Sequence, residues 1–157
     1  MTGPFHHRGI EEIDQVNSSR LHRLFEYWNT KRDDQVRPKW TDIELMEIHD
    51  IAPFIYVKDV VDDGQDFYYR YWGTNLAGTF GYEMSGKKAS DHYTGAQLTM
   101  TIADHLDMLR AGKPLISTGQ VRWAADKEYR NYTALVLPLD GDSAPLCHLM
   151  LGFDLEK

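Results

Sequence analysis

The 157-residue chain is 42% hydrophobic and 12% aromatic with a formal net charge of −7, the profile of one soluble globular domain with a single sizeable core. The acidic balance and scattered Arg and Lys argue against nucleic acid as a partner, because phosphate binding draws on a basic patch. A lone Cys147 excludes an intramolecular disulfide and a multi-cysteine metal centre, and no apolar run approaches the roughly 18 residues of a membrane span, so a cytoplasmic protein with no membrane partner is expected.

Residues 1–9 carry Gly, Pro and an isolated His6-His7 pair and read as a disordered start to a single domain over 10–157. Within it, 10–52 reads as N-terminal helices and 53–157 as an α+β core. From Ile10 to Trp28 the apolar residues Ile10, Ile13, Val16, Leu21, Leu24, Phe25 and Trp28 share one side of a helix, with Glu12, Gln15, Ser19, His22 and Glu26 opposite. Arg37-Pro38 ends any helix that reaches it. Thr41-Asp42-Ile43-Glu44 has capping-box spacing and predicts a second helix that stops before Ala52-Pro53.

Two strand-like runs follow, Phe54 to Val61 and Asp66 to Gly73, joined as a hairpin by Asp62-Asp63-Gly64-Gln65. Gly73, Gly78, Gly81 and Gly86 then leave room for only one or two helical turns. Thr94 to Arg110 is predicted helical, striped by Leu98, Ile102, Leu106 and Leu109 and stopped by Gly112 and Pro114. Three strands close the chain: Leu115 to Ala124, Tyr129 to Leu139 and Leu146 to Leu155, with turns at Asp126 and Asp140-Gly141-Asp142-Ser143. Short turns between successive strands make the sheet antiparallel, so the fold class is α+β with a sheet of about five strands.

No strong catalytic motif is present. The glycines from Gly73 to Gly81 match neither phosphate-loop pattern and serve tight turns, and Ser85, Ser117 and Cys147 lack a nucleophile elbow. No two histidines have metal-binding helical spacing. The unusual feature is the run Phe67-Tyr68-Tyr69-Arg70-Tyr71-Trp72. Alternation in a strand puts Phe67, Tyr69 and Tyr71 on one face and Tyr68 and Trp72 on the other, so both faces need cover. Rings that carry hydroxyls suit either an aromatic core or the wall of a pocket with a few polar anchors.

Several short motifs in order carry a family resemblance: Tyr27-Trp28-x-x-Lys31-Arg32, Pro38 with Asp42-Ile43-x-Leu45, Tyr69-Arg70-Tyr71-Trp72-Gly73-Thr74, Phe80-Gly81-Tyr82 with Ser85-Gly86-Lys87, and Leu137-Pro138-Leu139. Together, over Leu24 to Leu155, they resemble a bacterial PAS-like family, many of whose members are single-domain proteins of unknown function. The resemblance implies a five-stranded antiparallel sheet in order 2-1-5-4-3, with helices over one face and the N-terminal amphipathic helix beside it. It also implies a sensory or regulatory module that binds a small molecule between sheet and helices or mediates protein–protein signalling. The aligned helical region has no flavin-reactive cysteine, and no cofactor is assigned.

The pocket this predicts, between the sheet and the Thr94–Arg110 helix, is lined by Tyr71, Thr74, His92, Tyr93, Ile102, His105, Ser117, Thr133 and Leu135. Arg70 is either an anchor for an anionic ligand or half of a structural ion pair. A small α+β enzyme is the alternative, with His92 or His105 acting with Asp91 or Asp104 in the cavity of Tyr71. A third reading is an interaction module with a filled core. The partners expected are an unidentified small molecule, a signalling protein and a second copy of the chain. Ile13, Val16, Leu21 and Leu24 are the predicted dimer interface, unless the first helix packs on its own sheet.

Overall fold

In a computed structural model, which describes residues 2–10, 16–122 and 129–155, the β-branched and aromatic runs build one antiparallel sheet of six strands. These are β1 (Thr2–Gly9), β2 (Ile55–Val61), β3 (Asp66–Trp72), β4 (Leu115–Arg122), β5 (Tyr129–Leu139) and β6 (His148–Leu155). Their spatial order is β1-β4-β5-β6-β2-β3. Without β1, that is the expected 2-1-5-4-3 arrangement. The start of the chain, expected to be disordered, instead pairs along β4 from Thr2↔Gln120 to Gly9↔Leu115 and supplies the sixth strand. The reason is the open edge β4 would otherwise present, whose backbone groups are a template for any extended segment. On the other edge, Tyr69 and the segment after it exchange backbone bonds, Tyr69 N–H to Lys87 O and Gly86 N–H to Tyr69 O, both at 2.9 Å.

The helices are α1 (Ser19–Arg32), α2 (Thr74–Phe80), α3 (Ala89–His92) and α4 (Gly95–Ala111). The helix expected from Ile10 to Trp28 begins only at Ser19. Ser18 is extended and its hydroxyl accepts from the Leu21 N–H at 3.3 Å, which fixes the start. Ile10 is buried as the continuation of β1, its N–H donating to Pro114 O at 3.2 Å, so the apolar spacing that mimicked a helix spans a strand and a connection. Ile13 lies outside the described residues. The second predicted helix is replaced by short 3-10 turns at Trp40–Asp42, Leu45–Ile48 and Ala52–Phe54. The Asp42 carboxylate accepts from the Lys39 N–H, two residues earlier than the predicted cap, and extended backbone at Ile43 and Glu44 breaks the helix. Thr94 and the left-handed Gly112 bound α4 as expected.

The sheet is buried on both faces. Its first face packs Tyr56, Phe67, Tyr69, Trp72, Tyr132 and Phe153, among others, under α2, α3 and α4. The second face packs Ile55, Val57, Leu135, Leu137 and Met150 under α1. Trp28 ties α1 down by donating its indole N–H to Pro138 O at 3.0 Å. Leu21 and Leu24 are wholly buried in this layer, each worth about 1.5–3 kcal/mol of burial. Leu24 also seats against Gly152 so closely that a Cβ there would lie 2.5 Å from Leu24 Cδ2. The predicted interface residues Val16, Leu21 and Leu24 are therefore consumed within the chain. The sheet's second face, with apolar residues of β2, β4, β5 and β6 to cover, is the physical reason. Among the described residues no helix is long and apolar enough to cross a membrane.

Candidate functional site

The β2–β3 hairpin sets which side chains face α4. Its register shifts at one point, with Val57 opposite Tyr71 and Lys58 opposite Tyr69. Arg70 is the extra residue of a bulge, and a bulge reverses the alternation beyond it. Trp72 therefore joins Phe67 and Tyr69 on the face under α4, while Tyr71 turns to the α1 face and donates its hydroxyl to Ala52 O at 2.9 Å. The sequence expectation had these two residues on the reverse faces.

Inside the α4 face lies Lys58, 0% exposed. Its Nζ is 3.3 Å from the Tyr69 hydroxyl and 4.7 to 5.2 Å from the ring centres of Tyr56, Phe67 and Tyr69. Around it, the Tyr56 hydroxyl bonds His105 Nε2 at 3.0 Å, and His105 Nδ1 lies 2.7 Å from Thr101 O, which makes Nδ1 the protonated nitrogen and Tyr56 the donor. Tyr56 stacks on Trp72 at 5.2 Å and 9°, and the hydroxyls of Tyr82 and Tyr93 meet at 2.9 Å. Two buried polar atoms on this face, Trp72 Nε1 and Ser117 Oγ, have no hydrogen-bond partner among the described residues.

The electrostatics are those of a buried interior. Burial drives the Lys58 amine well below the ordinary lysine value, and the charge of Asp104 on α4 offsets that only in part. Burial likewise pushes the phenols of Tyr56, Tyr69, Tyr82, Tyr93 and Tyr132 above their usual value, so all remain protonated donors. The set can offer hydrogen bonds, one latent positive charge on Lys58 and the carboxylate of Asp104. No group of three or more His, Cys, Asp or Glu placed to hold a metal occurs among the described residues.

Of the residues predicted from sequence, Tyr93, His105 and Ser117 are buried on the α4 face, and Ile102 packs half-buried against the same core. Ser117, however, lies three strand steps from β2 across the sheet, about 14 Å away, and belongs to the far end of the layer. Thr133 and Leu135 do not join them. Leu135 is packed under α1, and Thr133 pairs with Thr118 on that same side. Thr74 and His92 are exposed, Thr74 because it opens α2 and His92 because it ends α3 with its ring against Tyr82 at 4.3 Å. Arg70, projecting from the bulge, is exposed and paired with Asp59 at 2.7 Å, which also holds His148 Nδ1 at 2.7 Å. It is the structural ion pair and no anchor for the interior. Neither His–Asp combination shares a cavity with Tyr71, which lies across the sheet.

Sequence reasoning missed Lys58, Tyr56, Trp72 and Tyr132. The one available signal was a lysine inside the strand Ile55–Val61 at a position of the same parity as Tyr56, where a surface charge has no place.

A family profile described as PAS domain matches residues 16–152. No curated protein matches the chain.

Proposed function

The chain belongs to the PAS domain family, and from that premise we propose a sensory or regulatory module without chemistry of its own that holds a small molecule between the sheet and α4. The observation that supports this reading is Lys58, enclosed with Tyr56, Trp72 and His105 in an otherwise apolar layer. A core built for stability alone gains nothing from an amine whose charge burial opposes, because an apolar side chain of the same volume packs there at lower cost. A buried titratable group that weakens the fold is a common mark of a binding site. Ligand occupancy would be read out through α2, α3 and α4, which rest on the same residues, by a signalling protein in the cytoplasm. The homodimer in this reading uses a surface other than the buried stripe of α1.

The test is mass spectrometry of the chain purified from its own host, under native and then denaturing conditions. The reading expects a native mass above that of the bare chain, with the excess released on denaturation. A native mass equal to the bare chain, or to a bare dimer, would favour a filled interaction module instead.

A further inference from the structure

We propose that two copies of the chain pair the outer edges of their β1 strands, antiparallel across a two-fold axis, joining the two six-stranded sheets into one. This rests on the homodimer of the proposed sensory module and is independent of its ligand. The basis is which backbone groups β1 leaves over. Ile10 and Pro114 stand opposite each other in the register of Arg8↔Ile116 and Gly9↔Leu115, and the Ile10 N–H donates to Pro114 O at 3.2 Å. In an antiparallel ladder, alternate residues turn their N–H and C=O towards a given neighbour. His6, Arg8 and Ile10 therefore direct theirs at β4, and the N–H and C=O of His7 and Gly9 point away from the sheet.

This edge is open and the opposite one is not. Among the described residues neither His7 nor Gly9 has a backbone partner on the outer side, and Arg8 and Gly9 are exposed. At the far side of the sheet, β3 is instead paired at Tyr69 with Gly86 and Lys87. A sheet with two open edges adds copies without end, whereas a single open edge is closed by one second copy. The covering layers leave access to it, because α1 packs on β5 and β6, α4 on β5 and α3 on β3, all inboard of β1.

The same groups fix the register. With His7 of one copy opposite Gly9 of the other, and Gly9 opposite His7, every outward group of both regular segments finds a complementary one. Towards the N-terminus the register shift between Thr2 and His6, and Pro4 within it, stop the ladder from extending. Arg8 then faces Arg8 of the second copy across the axis, and like charges directly opposite weaken a cross-strand pair. The contact is short and belongs to the weak class of interfaces, and it tightens when salt screens the arginines.

Sedimentation velocity of the full chain from about 5 to 500 µM, in roughly 50 and 500 mM sodium chloride, is the test. The proposal expects a concentration-dependent dimer whose dissociation constant falls about threefold or more at the higher salt. His7→Pro removes an outward N–H and spares the β4 ladder, so it should weaken association about tenfold or more, with circular dichroism as in wild type. Arg8→Thr keeps the backbone free to pair and removes the facing charges, so it should strengthen association however proline is tolerated. A dimer that both substitutions leave unchanged would keep the homodimer and overturn the β1 edge as its interface. A wild type that stays monomeric throughout would overturn this proposal together with the homodimer beneath it, and leave the ligand reading untouched.

Discussion

Replacing Lys58 with methionine should stabilise the protein, and the gain should depend on pH in a defined direction. Lys58 is wholly buried, and burial holds its pKa in the folded protein well below that of the unfolded chain. Between those two values the unfolded state binds one more proton than the folded state, so stability rises with pH by about tenfold in the folding equilibrium per unit. Read downwards, the stability present above the ordinary lysine value near 10.5 is lost as pH falls towards the folded value. Within that window each pH unit of acidification costs about tenfold, or roughly 1.4 kcal/mol, which corresponds to a midpoint shift of about 3–6 °C for a domain of this size. Methionine keeps the unbranched stem and packs its sulfur against Tyr56, Phe67 and Tyr69, so no cavity opposes the gain. Urea unfolding of wild type and Lys58→Met at pH 7, 8 and 9 is the assay. The buried phenols, whose raised values lower stability only above about pH 10, are common to both proteins and cancel. The variant should be more stable at pH 7, with the difference narrowing steadily to pH 9. Parallel profiles would refute the reasoning, since they would mean that the amine keeps its charge when folded.

Three further outcomes follow from the packing and the surface charges. Leu21→Asp with Leu24→Asp should unfold the chain, because both leucines are buried under α1 in one molecule; circular dichroism and light scattering that found a folded monomer would contradict packing within the chain. Gly73→Ala should cost about 2 kcal/mol or more in urea unfolding, since its Cβ would lie 2.2 Å from Pro53 O and 2.5 Å from Pro53 C, backbone atoms that cannot swing aside; a near-neutral substitution would contradict that approach. Burial raises the Asp59 pKa, but the hydrogen bonds from His148 and Arg70 outweigh it and hold the carboxyl below its usual value. The stability it contributes is present above about pH 4 and lost as pH falls through the folded value, so Asp59→Asn should flatten the acid limb of the stability curve, and unchanged acid limbs would contradict the pairing.

The sheet was legible in the sequence where local chemistry decides the structure. Turn residues at Asp62, Asp63 and Gly64, all with positive φ, close the hairpin that was expected, and Gly112 ends α4 where it was expected. The five expected strands agree with β2 to β6 to within about two residues at each described end. The site was harder because it turns on which face a side chain takes. The bulge at Arg70 carries no glycine or other sequence mark, yet it moves Trp72 inward and Tyr71 across the sheet. In β5 the run Ala134-Leu135-Val136-Leu137 is apolar throughout because both faces are covered, so alternation could not show that Leu135 faces α1. The N-terminal spacing misled for a related reason: buried residues of a strand and of a helix, Ile10 and Leu21, mimic one continuous stripe.

The account's central claim is that the layer between the sheet and α4 is a ligand site centred on Lys58. A crystal structure of the chain purified from its own host, never unfolded, tests this most directly. The account predicts electron density for a bound molecule against Tyr56 and Trp72, with an oxygen within hydrogen-bond distance of Lys58 Nζ. Side chains closed on one another around Lys58, with no density between them and α4, would contradict it.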